Sequence, residues 1–292
     1  MKIALLGGEG QLGQTLKKAL AQKKTSIGKI DAAYQQAEVF SLDLPETDIT
    51  NYPALAQKVE EISPQIIINC AALTNVDACE TEQTLAMQVN SLGARNVAMA
   101  GEKVGAKVIH VSTDYVFDGK GTHPYQEWDL CNPTTVYGKS KHLGEEYVAA
   151  FSTKYFIVRT AWLYGEEGGN FVKTMLRLGK EKEEITVVND QIGNPTNAQD
   201  LAHHLLKMAL TQQYGLYHCT GKGIISWYDF AAKIMSLSGS KAKVLPCTTA
   251  QYPRPAQRPA YSALGHHMLE STIGDDMRYW EEALEEYLQG II

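Results

Sequence analysis

Tyr137 and Lys141, in the run Tyr137-Gly-Lys-Ser-Lys141, stand four residues apart, so on a helix both side chains share one face. A phenol beside an ammonium suits ketone reduction: a hydride added at carbon leaves negative charge on the carbonyl oxygen, which needs a proton and a hydrogen-bond partner as it forms. A phenol of pKa about 10 is a sluggish acid at neutral pH, and a nearby ammonium lowers that value. Lys141 is therefore expected to lower the pKa of Tyr137 and to hold a ribose hydroxyl of the hydride donor. With 15 tyrosines in the chain, a Tyr-x-x-x-Lys match arises about once by chance, so its context decides. Upstream, Val111-Ser112-Thr113-Asp114 closes a β-branched run and places the Thr113 hydroxyl at the C-terminal edge of a sheet, where open α/β sheets bind ligands. Thr113 is expected to bond the carbonyl oxygen.

The hydride donor has its own signature. Gly7-Gly8-Glu9-Gly10-Gln11-Leu12-Gly13 follows an apolar run, Ile3 to Leu6, and opens a helical pattern reaching about Lys23. Gly8, Gly10 and Gly13 fit G-x-G-x-x-G, while Gly7, Gly10 and Gly13 fit G-x-x-G-x-x-G. Such glycines permit a tight turn, let backbone approach a pyrophosphate and allow close helix–strand packing, and the helix N-terminus supplies free N–H groups. An acidic partner for the adenosine ribose is expected about 20 residues on, at the end of the second strand. The best second strand is Glu38 to Leu42 (EVFSL), so Asp43 takes this role and KKTSIGKIDAAYQQ reads as an insertion. A carboxylate there favours NAD over NADP as a tendency; either NADH or NADPH is the expected cofactor.

These groups need a scaffold. Short apolar runs at Ile3–Leu6, Gln65–Asn69, Lys107–Ser112 and Tyr155–Arg159 alternate with helical stretches, among them Thr84–Val104 and one beginning near Tyr137 behind Pro133. Strands alternating with helices predict a doubly wound, Rossmann-type parallel sheet. IALL and IIIN lack polar alternation, as strands buried on both faces do. After about Gly165 the texture changes, and Pro246, Pro253, Pro255 and Pro259 exclude helix and central strand from their segment. Residues 1–165 are expected to form a dinucleotide-binding domain carrying the catalytic residues. Residues 166–292 are expected to form a smaller, mixed substrate domain, with some segments returning to the first and a closing helix at Trp280–Leu288.

The 292 residues carry 27 Lys+Arg against 33 Asp+Glu, a net charge of −6, which argues against a nucleic-acid partner and requires any anionic ligand to meet local positive charge. No run of 18 or more apolar residues offers a membrane span. Five scattered cysteines with no C-x-x-C pair and no histidine at zinc-ligand spacing suggest a reduced, cytoplasmic, metal-free protein. The adjacent pairs His203-His204 and His266-His267 do not share a helix face and are poor metal sites.

The segments GGEGQLG, INCAALTNVDACE, VSTDYVFDG, PTTVYGKSKHLGE, RTAWLYG, NFVKTMLRLG, VVNDQIGNPT, YHCTGKGIISWYDFA and RPAQRPAYSAL resemble the extended short-chain dehydrogenase/reductases, and within them the dTDP-4-dehydrorhamnose reductase family, nearly end to end. That resemblance implies reduction of the 4-keto group of dTDP-6-deoxy-L-lyxo-4-hexulose to dTDP-L-rhamnose by a monomer or homodimer. Carried over by position, the catalytic set is Thr113, Tyr137 and Lys141. Cofactor contacts come from Gly10, Gln11 and Leu12, Asp43, Asp48 with Ile49, and Ala71, Ala72 and Leu73. Substrate contacts come from Thr113, Asp114, Tyr115 and Trp162, with Asn170, Gln191 and Asn194 as further substrate-domain positions. Trp162 also reads as a core aromatic. Arg254 and Arg258 lie in the proline-rich segment, where an arginine fork can pair with a diphosphate. The alternatives are another nucleotide-sugar epimerase or reductase, or a non-catalytic nucleotide-binding regulator of the same fold. Thr113 is followed by Asp114-Tyr115 and not by the Asp-Glu pair that dehydratases carry.

Overall fold

A computed structural model describes residues 1–291. Strands β1 (Lys2–Leu6), β2 (Glu38–Leu42), β3 (Ile66–Asn69), β4 (Lys107–Thr113), β5 (Tyr155–Thr160) and β10 (Gly215–His218) form one six-stranded parallel sheet in the order β10-β5-β4-β3-β1-β2. From β1 the chain moves outward to β2, then returns to add β3 on the other side of β1. This reversal opens a crevice at the strands' C-terminal ends, the position where such sheets bind ligands.

The uninterrupted apolar strands follow from burial on both faces. Ile3 and Leu5 of β1 join α1 (Gln11–Gln22) and α8 (Ala198–Ala209) in one core, while Ala4 and Leu6 join α2 (Tyr52–Ile62) and α5 (Ala94–Val104) in another. Helix α6 (Val136–Phe151) packs beside α5 and over β4. The single helix expected over Thr84–Val104 is instead α4 (Gln83–Ala86), a π-helical stretch at Met87–Gly93, and α5. Apolar periodicity does not register such a change of pitch, which commonly marks functional sites.

The insertion before β2 is a structural patch. A bridge between Lys24 and Lys29 and a 3-10 turn at Ala32–Tyr34, capped by Asp31, fold back on α8. There the fully buried Tyr34 donates its hydroxyl to the Leu206 carbonyl at 2.7 Å, and Thr25 pairs with His203 at 2.9 Å.

The second core gathers Tyr164, Val172, Met175, Ile185, Phe230, Ile234, Trp280 and Leu284. It joins α7 (Phe171–Glu181), β7 (Glu184–Val188), α9 (Trp227–Leu237) and α10 (Trp280–Gln289). Strand β12 (Lys243–Cys247) pairs in parallel with β7, so Pro246, expected in an ordered loop, lies within a strand. A two-stranded sheet has only edges, where a missing N–H is tolerated. Among the described residues, no helix is long and apolar enough to cross a membrane.

Candidate active site

The glycine loop sits at the mouth of the crevice, and its four glycines serve two purposes. A Cβ on Gly13 would lie 2.3 Å from the Gly7 carbonyl oxygen, and one on Gly7, whose φ is +72°, would lie 2.6 Å from Ala71 N. These residues, with Gly8 against Ser41, let the loop lie on its own helix and on the neighbouring strand ends. Gly10 is different: a Cβ there would have only the Gly7 carbonyl oxygen near it, at 3.4 Å, so its missing side chain leaves open space in front of the loop. Gly10 is also the N-cap of α1 and offers no side-chain bond to the first helical turn, whose N–H groups point into that space. An open cradle of backbone donors fits a pyrophosphate.

Two of the expected cofactor positions, Asp43 and Ala71, lie against the loop, and the others are fixed nearby in the chain. Asp43, one residue past β2, accepts the Glu9 N–H at 2.8 Å, which fixes its carboxylate against the loop. Asp48 caps its own turn through Thr50, and Ile49 is buried against Gly93. Beyond β3, Ala71 N–H bonds the Asn69 side chain, while Leu73 is held from both its N–H and its carbonyl by Asn90. Asn90 belongs to the π-helical stretch and also donates to Ser140 of α6, so one buried amide ties the Ala71–Leu73 loop to the catalytic helix. The sequence reading missed Asn90; a polar side chain within an otherwise apolar-faced helix was its one signal.

Helix α6 starts where Thr135 caps Gly138 N–H and the Glu80 carboxylate accepts Val136 N–H. Gly138 has no room for a Cβ, which would lie 2.1 Å from the Tyr115 carbonyl oxygen, so α6 is pressed onto the end of β4. This contact brings Tyr137 to Thr113 and Asp114, with the rings of Tyr115 and Tyr137 edge to face at 5.5 Å. Thr113 Oγ1 donates to Asp114 Oδ1 at 3.0 Å and accepts Tyr115 N–H at 3.3 Å. Burial pushes the Asp114 carboxyl up to about 6, partly offset by the Ser262 and Thr113 hydroxyls.

The expected action of Lys141 on Tyr137 is not what the structure arranges. Burial raises the phenol well above its ordinary range, opposed in part by the Thr113 hydroxyl, and the Asp114 charge raises it further. Lys141 is buried beneath the site, with Nζ donating to the Val111 carbonyl at 2.6 Å, and burial lowers its pKa to about 8. The lysine is thus directed to backbone and not to the phenol. The phenol stays protonated at neutral pH, the form a proton donor requires.

Over the far side of Tyr115 lies a cavity of about 460 Å³, bounded by α7, β7, Trp227 and the proline-rich segment. Gln191, Arg254 and Arg258 line it together with Tyr115, and Gln191 donates to Thr249 Oγ1 at 3.0 Å. The Arg258 fork is engaged: its two terminal nitrogens bond the two Asp77 carboxylate oxygens at 2.7 and 2.9 Å, and Asp77 also accepts Ala256 N–H. Those bonds hold Asp77 below the usual carboxylate range. Arg254 lies over the Tyr252 ring and donates to its hydroxyl.

Trp162 lies behind the cavity wall, stacked on Trp227 at 3.6 Å with its indole against Gly193. Of the two stacked indoles it is Trp227 that lines the cavity, and the sequence reading missed it. Trp162 has φ +46°, a conformation that costs a bulky residue energy and is held here by its stack on Trp227 and its close approach to Gly193. Asn170 caps α7 and donates to Gln11 Oε1 and the Gly165 carbonyl, so it braces the glycine loop from the second core. Asn194 is likewise used by backbone, donating to the Gly223 carbonyl and accepting Leu264 N–H.

The paired histidines are spent on Thr25, Asp200, Thr220 and Asp275, or packed edge to face with Trp128. Cys131, His142 and Glu145 converge within 4.8 Å, although no chain spacing suggested it. Arg159 already supplies the cation there, bonding Glu145 at 2.7 and 2.9 Å and Cys131 Sγ at 3.0 Å.

The doubly wound sheet, the glycine cradle and the Thr113–Tyr137–Lys141 set define an oxidoreductase of the extended short-chain dehydrogenase/reductase type. The family described as RmlD substrate binding domain matches residues 1–292. The spore coat polysaccharide biosynthesis protein SpsK of Bacillus subtilis (strain 168) is 43% identical over 288 residues, covering 99% of this chain and 97% of its own. Solved structures of dTDP-4-dehydrorhamnose reductases are similar throughout. That from Clostridium acetobutylicum superposes with a TM-score of 0.94 at 48% identity, covering 100% of this chain and 99% of the other. That from Bacillus anthracis str. Ames, in complex with NADP, gives 0.92 at 44% identity, covering 99% of each. The chain belongs to the dTDP-4-dehydrorhamnose reductase (RmlD) family.

Proposed function

We propose that this protein reduces the 4-keto group of dTDP-6-deoxy-L-lyxo-4-hexulose to give dTDP-L-rhamnose, a sugar donor for surface polysaccharide, with NADH or NADPH as reductant. The observation that carries this reading is a buried Tyr137 beside Thr113 at the strand ends, with an open backbone cradle at the glycine loop and, past Tyr115, a cavity of about 460 Å³ lined by arginine and aromatic side chains. Residues 1–165 hold the cofactor and the chemistry, and residues 166–292 mainly hold the nucleotide sugar.

The bound dihydronicotinamide supplies the hydride that adds to C4. Tyr137 donates its hydroxyl proton to the O4 oxygen as negative charge develops there. Thr113 turns its hydroxyl from Asp114 to that oxygen, and Lys141 holds a ribose hydroxyl of the cofactor. The glycine loop takes the pyrophosphate of the cofactor. Asp43 takes its adenosine ribose hydroxyls, beside Asp48 and Ile49. Arg254 and Arg258 face the diphosphate of the sugar nucleotide.

The test supplies dTDP-6-deoxy-L-lyxo-4-hexulose with NADH or NADPH in separate reactions and follows cofactor oxidation. Turnover is expected, and Tyr137→Phe should cut it at least about a hundredfold with cofactor affinity nearly intact. No turnover with either cofactor would overturn the reading in favour of a non-catalytic regulator of this fold.

A further inference from the structure

Glu9 and Asp43 lie together at the end of β2. Asp43 Oδ2 accepts Glu9 N–H at 2.8 Å and Oδ1 accepts Leu44 N–H at 2.9 Å, so this carboxylate is fixed in orientation. The Glu9 side chain turns toward the same strand end, where Oε1 accepts from Ser41 Oγ at 3.3 Å and from Lys17 Nζ at 2.5 Å. Ser41 and Asp43 are two residues apart on extended chain and so share a face. Ser41 Oγ would lie 2.0 Å from a Cβ on Gly8, so the loop rests directly on this strand end. Two carboxylates thus border one small area, and the cation bonded there, Lys17, is already paired. The lysine holds the Glu9 carboxyl below its ordinary value, so it is ionised at neutral pH.

We propose that Glu9, together with Asp43, sets cofactor choice by accepting a free ribose 2′-hydroxyl and opposing a 2′-phosphate, so that this chain binds NADH in preference to NADPH. The inference rests on the dinucleotide reading of the glycine-loop crevice. A 2′-hydroxyl can donate to a carboxylate, whereas a phosphate monoester brings about −1.5 to −2 charge and acceptor oxygens only. To be held, a 2′-phosphate must take Lys17 from Glu9, which leaves that carboxylate unpaired beside it. Glu9 is 61% exposed in its side chain, so solvent and salt screen the repulsion and bound the preference at about tenfold. The Bacillus anthracis relative was solved with NADP, so the selectivity would belong to this chain's loop residues and not to the fold.

The test is direct binding, by calorimetry or nicotinamide fluorescence, of NADH and NADPH to the full chain and to Glu9→Gln, Glu9→Lys and Lys17→Gln. Wild type should bind NADH about tenfold tighter; Glu9→Gln should narrow the gap to about threefold, by strengthening NADPH and slightly weakening NADH, and Glu9→Lys should reverse it. Lys17→Gln should weaken NADPH further while NADH stays within about twofold. Equal affinities in wild type, tighter NADPH, or a ratio that neither Glu9 variant moves would overturn the proposal. Failure of wild type to bind either nucleotide would instead overturn the dinucleotide reading on which it rests.

Discussion

The glycine-loop crevice and the cavity beneath the proline-rich segment are held in different ways. In the crevice, backbone meets backbone: Gly7 lies on Ala71, Gly13 on Gly7 and Gly8, and Asp43 fastens the loop to β2 through the Glu9 N–H. In the cavity, a loop without regular structure is fastened from a distance, with Arg258 and Ala256 N–H gripping Asp77 of α3 (Val76–Thr81), about 180 residues earlier in the chain. The first arrangement has no slack, since a single added carbon collides with backbone. The second depends on one ion pair whose members are each roughly a quarter exposed, at 22% and 25%. On the function proposed above, the site for a cofactor shared by many chains is built on the sheet, and the site for a particular substrate is laid over it.

The sharpest way to break this contrast is to add one methyl group in the crevice. Gly13→Ala places a carbon 2.3 Å from Gly7 O and 2.6 Å from Gly8 Cα, so the loop must move, with loss of nucleotide affinity by at least about a hundredfold and a lowered melting temperature. Gly10→Ala separates the two purposes of the glycines. It should melt like wild type, because its nearest neighbour would be 3.4 Å away, yet still bind nucleotide poorly because the methyl group fills the cradle. Equal melting losses for both variants would show that Gly10 is a packing glycine too.

A smaller effect is expected across the cavity. Asp77→Asn leaves the loop one weaker contact with Arg258, so KM for the nucleotide sugar should rise about tenfold with kcat and cofactor affinity nearly unchanged. A fall in KM would mean that Asp77 competes with the sugar nucleotide for the arginine and does not position it.

The same contrast explains what was legible in the chain. Strand β2 and Asp43 could be placed because apolar runs and glycine spacing are local signals, and the fifteen residues before β2 could be set aside even though Tyr34 proves to seal a core against Leu206. Tyr137 and Lys141 were legible as an i,i+4 pair, but not the depth of their burial, which reverses the expected direction of the Tyr137 pKa. Arg258 was found by type, whereas its partner Asp77 was not, since nothing in a sequence announces a contact of that separation. Trp227 was missed because its spacing is that of any amphipathic helix, and only packing on Trp162 turns it toward the cavity.

Asp114 stands at the seam between the two regions and offers the finest test. Its carboxyl is raised from 3.8 to about 6 by burial, so the folded chain binds the proton more tightly than the unfolded chain. Between those values stability falls as pH rises, and at neutral pH the full cost of a buried charge is carried, on the order of 3 kcal/mol. Asp114→Asn keeps the shape and removes the charge. It should therefore melt several degrees higher than wild type at pH 7, and the difference should close as pH is lowered through about 6 toward 4. A variant no more stable at pH 7 would show that Thr113 and Ser262 fully compensate the charge. The seam would then be as settled as the glycine loop, and no stability would have been given up to keep an acid at this position.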